Sequence, residues 1–331
     1  MLHLHGVGHF HPETEITNRF LEELDIGTGD AWIVERVGIR ARRTVLPLDY
    51  IRTTRNRDPR AAVEAARYTH AELAARAAAL ALSRAGVGPG DVGLVISGSS
   101  SPDSLTPAEA SFVARELGVE APCFDLNSAC TSFLAGLHVL AGMRPERLPR
   151  FVLLTSVDTM TKVADYSDRS TAVLWGDGAA AAVLSAREPG PARIVETDLD
   201  SSPAGADKVQ IPHHGTFSQS GRAVQTFAIR KTVEGLRRLV EASAEDEGRA
   251  LHFVGHQANL RVLEAACERC GIPPERHHSN VELFGNTAAP SAASVLSMSW
   301  EKFGPRDDVA LVGVGGGLTW ARALLRFGAG S

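Results

Sequence analysis

Apolar and polar positions recur along this chain in two related patterns. Over 70–85 (HAELAARAAALALSRA), Leu73, Ala77, Leu80 and Ala81 return at helical spacing, which predicts an amphipathic helix closed by Gly86 and Gly88. The apolar run at 92–96 in DVGLVISGSS then reads as a buried strand entering a polar loop. The second half repeats the order. RKTVEGLRRLVEASAEDEG predicts a helix over 230–248, and LHFVGHQAN a strand within 251–259. Glycine-rich turns open a further strand in each half, Gly176-Asp177-Gly178 before AAAAVLSA and Gly315-Gly316-Gly317 before LTWARALLRF. One helix, apolar strand, polar loop and glycine turn per half predicts a duplicated α/β unit, each half a mixed sheet covered by helices. The break falls at Glu188-Pro189-Gly190-Pro191, which divides the chain into 1–190 and 191–331. Residues 201–222 are polar and Gly-rich and predict a long loop of the kind that shapes active sites.

Composition narrows the class. Of 331 residues, 44% are hydrophobic and 22% charged, which excludes a disordered, collagen-like or disulfide-stapled chain. No run of 18 apolar residues exists, so no membrane-spanning helix is expected. MLHLHGVGHFHPETE lacks the basic start and apolar run of a secretory signal. Four cysteines are no disulfide framework and fit a reducing cytoplasm. A net charge of −5 argues against nucleic-acid affinity. The charge is uneven, however. Arg36, Arg40, Arg42, Arg43, Arg52, Arg55, Arg57 and Arg60 face only Asp49 and Asp58 within 36–60, a block that is either a solvated face or a landing site for an anionic partner.

The chemistry is carried by four positions. In FDLNSACTSFLAGLHVL, 124–126 reads as the end of a strand, and the apolar run after Thr131 as a buried helix. Cys130 then stands at the helix N-terminus, where the helix dipole favours a thiolate nucleophile. His256 in GHQAN lies just past an apolar strand, where loops present reactive groups. Asn286 in LFGNTAAPSAASVL sits at a tight turn before a closely packed helix. Gly315-Gly316-Gly317 exposes backbone N–H groups without the Lys-Ser/Thr of a phosphate loop, which suits an oxyanion hole. Each of these alone has a bland reading: a buried thiol, a satisfied histidine, a helix cap, a plain turn. Together they form a thiol acyl-transfer set. Cys267 and Cys270 are a single C-x-x-C on one helix face, and no metal is expected there or at His213-His214 and His277-His278.

Six motifs in order, DAWIVERVGIRARR, the turn around SAC, WGDGAAAAVL, GHQANLR, FGNTAAPSAASV and GGGLTWARALLRF, resemble the β-ketoacyl-acyl-carrier-protein synthase III family over nearly the whole chain. The resemblance implies a thiolase-like fold of two α/β halves in five layers, α-β-α-β-α, the first half carrying the nucleophile and the second the His and Asn. It implies a condensing acyltransferase in which Cys130 is acylated by a thioester, while His256 and Asn286 hold the second thioester's carbonyl and stabilise its enolate. It assigns the oxyanion at the acylated cysteine to the N–H groups of Cys130 and Gly316. Trp32, Arg36 and Arg169 match residues that hold coenzyme A, and Arg261 a residue that docks the acidic acyl carrier protein. A homodimer is implied as well. Coenzyme A or phosphopantetheine thioesters are then substrates, and no cofactor is permanently bound.

The chain departs from the family in four places. Residues 46–69 carry an Arg-rich stretch where typical members have a short connection, and it is similar to the branch that joins two β-ketoacyl thioesters and cyclises them to cyclohexanedione and dialkylresorcinol precursors. Val314 replaces a phenylalanine before the glycines, which speaks against ordinary malonyl condensation. Asn127-Ser128 replaces small apolar residues. Leu105 and Thr106 stand near the family's pocket-lining aromatic, so Leu105, Thr106 and Val314 are expected to line the acyl pocket. The alternatives are an initiating synthase using a malonyl carrier and an O- or N-acyltransferase on the same scaffold. A papain-type hydrolase fits the residue trio but not the duplicated pattern, and a non-catalytic binding module fits only the arginine block.

Overall fold

Ten strands form one mixed sheet in the computed structural model, which describes residues 1–246 and 248–328. In chain order they are β1 (His3–Phe10), β2 (Val92–Gly98), β3 (Cys123–Leu126), β4 (Phe151–Thr159), β5 (Asp177–Ser185), β6 (Ala192–Ser201), β7 (Ala250–Gly255), β8 (His277–His278), β9 (Asp307–Gly315) and β10 (Thr319–Phe327). Their spatial order is β8-β7-β9-β10-β6-β1-β5-β4-β2-β3. Five strands from 3–185 thus lie beside five from 192–327. The join between them is short, with His3 opposite Arg193 and Leu4 opposite Ala192.

The principal helices are α1 (Asp30–Val37), α2 (Leu48–Thr54), α3 (Pro59–Ala65), α4 (His70–Ala85), α5 (Glu109–Leu117), α6 (Ser132–Gly142), α7 (Gly221–Ala244), α8 (Leu260–Cys270) and α9 (Ser291–Met298). Helix α6 touches β6, β10 and β9 on one side and β4, β2 and β3 on the other, and α9 likewise touches strands of both groups. Helices α4 and α5 cover the outer face of the first group, and α7, backed by α8, that of the second. The layers therefore run α-β-α-β-α, the thiolase-like architecture the motifs imply.

Central strands must be apolar on both faces in such a stack. All nine residues of β4 and of β5 are buried. Val152, Leu154, Ala180, Ala182 and Leu184 point to the middle layer, with Phe133, Leu134 and Leu137 of α6. Leu153, Val157, Ala179, Ala181 and Val183 point outward, to Ala74, Ala77, Ala78 and Ala81 of α4.

The alanine content of α4 has a specific cause. The helix lies directly on β1, where a Cβ at Gly6 would be 2.5 Å from the Ala81 carbonyl oxygen and one at Gly8 would strike that of Ala77. Small residues on both sides permit this contact. Thr69 and Glu72 form a capping box at one end of α4, and Gly86 closes the other with φ +64°.

The predicted helix over 70–85 and strand from 92 are present. The second helix differs, since α7 begins at Gly221, nine residues before the expected start, and ends at Ala244. Its first turns carry too few apolar residues to announce a helix, and they are held by tertiary contact, with Phe227 edge-on to Trp320 of β10 at 5.6 Å. The expected end at 248 runs across residue 247, which lies outside the described residues. The expected 201–222 loop contains a 3-10 turn (Pro203–Lys208) and a small hairpin of Val209–Gln210 with Ser218–Gln219. Among the described residues no helix is long and apolar enough to cross a membrane.

Candidate active site

Cys130 stands on the turn from β3 to α6. Ala129 takes φ +48°, the Thr131 N–H bonds to the Ser128 carbonyl, and the Ser132 hydroxyl donates to the Ala129 carbonyl at 2.7 Å. The C-terminal end of β9 passes against this turn. A Cβ at Gly315 would sit 3.0 Å from the Cys130 nitrogen, so glycine there allows the following residue to reach the sulfur. The backbone N–H groups of Cys130 and Gly316 lie close enough to Sγ to favour its charged form.

The thiolate expected from the helix end is corrected. The Cys130 thiol is pushed up to about 12, first by burial and then by the Asp158 carboxylate, and the two N–H groups offset only part of this. Helix α6 itself begins two residues later, at Ser132. Cys130 therefore rests as a neutral thiol.

Cys130 lines a cavity of about 400 Å³ with Ser100, Met160, Trp175, Val209, Ile211, Phe217, Gly316 and Thr319. The 201–222 segment, through Val209, Ile211 and Phe217, supplies much of one wall. An adjoining groove of about 230 Å³ runs from Trp32 and Arg36 past Ser170, Val224 and Ala228 to Asn259 and Asn286. Trp175 lines both spaces.

Asn286 is fixed next to that tryptophan. Its N–H donates to the Leu174 carbonyl at 2.8 Å, and its carbonyl accepts from Gly176 at 3.0 Å. Its side-chain Oδ1 accepts the Ala288 N–H at 2.9 Å, which turns the Nδ2 end of the amide away as the donor on offer. Gly285 makes the turn at φ +67° over buried Arg42, whose guanidinium donates to the Val173 carbonyl. Arg42 is therefore part of this scaffold and not of a surface arginine block.

His256 follows β7, its N–H bonded to the Val312 carbonyl of β9. Burial pushes its imidazole down to about 4, so the ring is neutral. Its Nδ1 lies 2.7 Å from Ser291 Oγ, which also accepts the Gln257 N–H at 3.3 Å. That second bond favours the serine proton on the Nδ1 side and leaves the imidazole proton on Nε2. Ser291 lies five residues beyond Asn286, so one loop carries the amide and orients the imidazole. Nothing in the run AAPSAAS distinguishes Ser291 from its neighbours.

Asp158 links the two halves of the site. Its Oδ1 accepts from Ser99, Ser100 and Ser101, and its Oδ2 accepts the Ala289 N–H at 2.9 Å. Ser100 lines the cavity, and Ala289 is on the Asn286 loop.

At the mouth, the Arg36 and Arg169 guanidinium carbons lie 4.6 and 5.1 Å from the Trp32 ring centre, and Arg169 also donates to the Gly27 carbonyl. Arg261 is committed elsewhere. It donates to the Val34 and Glu35 carbonyls at the C-terminal end of α1 and pairs with Glu264. It holds the helix that presents Trp32 and Arg36.

The expected acyl-pocket trio lies outside the residues that line the Cys130 cavity in this single chain. Leu105 is 75% exposed and Thr106 is exposed beside it, because the 99–108 loop turns outward before α5. Val314 is buried, but it packs with Ala228 and Val262, which line the groove. Cys267 is buried, Cys270 is half-buried, and among the described residues no three His, Cys, Asp or Glu side chains gather as for a metal.

A family model described as 3-oxoacyl-[acyl-carrier-protein (ACP)] synthase III matches residues 124–203, and one for the C-terminal part of that enzyme matches 247–327. The β-ketoacyl-[acyl-carrier-protein] synthase III of Oceanobacillus iheyensis is 32% identical over 326 residues, 98% of each chain. The solved 3-oxoacyl-(acyl carrier protein) synthase III of Pseudomonas aeruginosa PAO1 is similar with a TM-score of 0.83 and 33% identity, over 98% of each chain. The priming β-ketosynthase of the R1128 polyketide biosynthetic pathway gives 0.84 at 29% identity, over 99% of this chain and 97% of that one.

Proposed function

The chain belongs to the 3-oxoacyl-[acyl-carrier-protein] synthase III family, and from that premise we propose that it condenses two thioesters through an acyl group carried on Cys130. The observation that carries this reading is the close approach of the Gly315–Gly316 turn to Cys130, with Gly316 and Cys130 lining one cavity that shares Trp175 with the Asn286 groove. In acylation, Sγ attacks the carbonyl of a coenzyme A or phosphopantetheine thioester. The oxyanion sits on the two N–H groups, the old carbon–sulfur bond breaks, and the departing thiolate leaves with the proton that Cys130 gives up. A neutral thiol therefore suffices at rest.

In condensation, the second thioester's α-carbon gives up a proton to solvent, or for a malonyl unit its carboxyl group as CO2, and the carbonyl oxygen of the resulting enolate accepts from His256 Nε2–H and Asn286 Nδ2–H. The enolate carbon then attacks the acyl carbon, the carbon–sulfur bond to Cys130 breaks, and the released thiolate takes up a proton from solvent. A well-placed donor to such an oxygen lowers the barrier by about 3 kcal/mol. The first half, 1–190, supplies the nucleophile and its cavity, and the second, 191–331, the enolate donors. Trp32, Arg36 and Arg169 receive the nucleotide end of coenzyme A. An acidic carrier protein docks over the same mouth, with Arg261 acting through the placement of α1. Strand β3 is an open sheet edge with Phe124 40% exposed, and a second copy of the chain pairs there to make the homodimer. Four free thiols suit a reducing cytoplasm.

For the second substrate we favour a β-ketoacyl thioester, with ring closure to a cyclohexanedione or dialkylresorcinol precursor. The support is Val314 in place of an aromatic residue, together with the long 46–69 segment. The initiating reading, with a malonyl carrier, is supported by the names of the relatives above. Intact-mass analysis of wild type and Cys130→Ala, exposed separately to acyl, β-ketoacyl and malonyl thioesters with product identification, separates the readings. A wild-type adduct absent from Cys130→Ala is expected, with a new carbon–carbon bond only when β-ketoacyl thioester is present. Adducts equal in both proteins overturn the nucleophile, and products from malonyl thioester alone reverse the ranking.

A further inference from the structure

We propose that Asn56, at the turn of the arginine-rich segment, is a positioning residue for the acyl cavity: it holds the wall at 160–164 and so sets which acyl chain lengths are accepted. This rests on the reading that Cys130 carries the acyl chain.

Arg55 and Asn56 take φ +56° and +51°, so the chain folds back sharply after α2. That turn drives Asn56 into the protein, where it is fully buried among exposed neighbours. Its Nδ2 donates to three carbonyls, of Thr161 at 3.1 Å, Lys162 at 2.9 Å and Ala164 at 2.9 Å. The Tyr50 hydroxyl and the Thr54 Oγ1 fix the Asn56 side chain and backbone in turn. The Arg55 carbonyl accepts the Tyr166 N–H at 3.0 Å. No other side chain bonds these three carbonyls among the described residues, and a buried carbonyl without a partner is costly.

The segment that Asn56 grips is connected to two other parts of the cavity lining. Met160 begins it and lines the cavity. The Val163 carbonyl accepts the N–H of Phe217, the opposite wall, at 2.8 Å. Lys162 pairs with Asp103, on the loop that begins with cavity-lining Ser100. Asp177 and Thr44 hold the Thr161 end of the gripped segment, and Asn56 bridges Thr161, Lys162 and Ala164, so the segment that bonds outward to two further wall elements is pinned along its length by one amide, while Cys130, Gly316 and the Asn286 loop are held by separate contacts. The arginines of the segment take no part in this. Arg52, Arg57 and Arg60 remain exposed and pair locally with Asp49, Ser167 and Asp58. A longer acyl chain on Sγ fills more of the cavity that Met160 lines than an acetyl group does, so it is the chain whose fit this wall governs.

The test compares kcat/KM for Cys130 acylation by acetyl-, octanoyl- and dodecanoyl-coenzyme A, with folding followed by thermal melting. For Asn56→Ala the dodecanoyl-to-acetyl ratio is expected to fall about ten-fold, the scale of one buried polar group losing its partner. Asn56→Ser, which restores one donor, recovers part of the ratio and also serves if the alanine variant fails to fold. Arg60→Glu, on the outer face of the same segment, leaves it unchanged. A folded Asn56 variant that loses all chain lengths equally, or none, overturns the proposal, as does a shift in Arg60→Glu. A wild type that accepts no acyl chain overturns the functional reading instead, and the two failures are therefore distinct.

Discussion

At the mouth of the groove, the Arg36 and Arg169 guanidinium groups lie against the Trp32 ring. Deeper in, Cys130 and His256 are held neutral, the thiol pushed up to about 12 and the imidazole down to about 4. Burial is the first cause in both shifts. The mouth can therefore attract an anionic carrier or nucleotide at a distance, through fields that salt screens over roughly 8 Å. On the proposed reading the interior works instead through dipoles held in fixed directions: the N–H groups near the sulfur, an imidazole N–H and an amide NH2. Capture at long range and chemistry at short range then fall in different places, with Trp175 lining both spaces.

That contrast can be broken experimentally, most severely at the floor. His256→Ala and Asn286→Ala should each lower condensation about 10²- to 10³-fold, the usual effect of removing one oriented donor, while acylation of Cys130 persists. Loss of acylation to the same degree, measured by intact mass, would merge the two steps and undo the assignment.

A smaller effect is expected one bond further away. Ser291→Ala should cut condensation about ten-fold through loss of the hydrogen bond that orients the ring. The imidazole nitrogen chemical shifts of His256 should then show mixed tautomers, a signature that general destabilisation would not produce.

The mouth should respond more weakly and in a different parameter. Trp32→Ala and Arg169→Ala should raise KM for coenzyme A thioesters a few-fold, the scale of an exposed cation–π contact, with kcat unchanged. The Arg169 effect should shrink as salt rises, whereas the His256 and Asn286 effects should not. Equal salt dependence at both ends would erase the distinction.

The smallest expected effect is on pH and stability. His11, held near 3, and His70, His256 and His278, held near 4, are kept neutral by burial against an ordinary 6.5. Between those values the unfolded chain binds protons that the folded chain refuses, so stability should climb as pH rises toward 6.5. Asp177 and Glu109, raised by burial to about 6 and about 7, act in the opposite direction because the folded chain keeps their protons longer. Asp158 is also raised, but His3, His5, His9 and His277 are lowered as well, so the imidazoles outnumber the raised carboxyls and leave a net gain, readable as a higher Tm at about pH 6.5 than at about pH 5. A flat or falling Tm would show that the floor tolerates charge after all.

Much of this organisation is legible in the chain. Helical spacing over 70–85, the capping pair Thr69 and Glu72, and Gly86 define α4 almost to the residue, because local propensity and periodicity agree there. The start of α7 was hidden, because GRAVQTFAI is helical only where Phe227 meets Trp320. Cys130, His256, Asn286 and Gly316 are readable as residue types at turns and strand ends. Leu105 and Thr106 lie exposed on the 99–108 loop and Val314 is buried on β9, placements that local sequence alone does not reveal. Arg42 reads as one more surface cation, yet it lies fully buried under the Asn286 turn.

By itself, the sequence determined which atoms are available for chemistry and roughly where along the chain each strand and helix begins. Those depend on composition and spacing within a few turns. Only the tertiary structure decided that the thiol rests protonated, that Ser291 orients His256, that Arg261 supports α1 and that Asn56 reaches the cavity wall. Each of these depends on the dielectric and the neighbours that distant segments bring to a point, and pairwise contact between remote residues is not encoded at either residue alone.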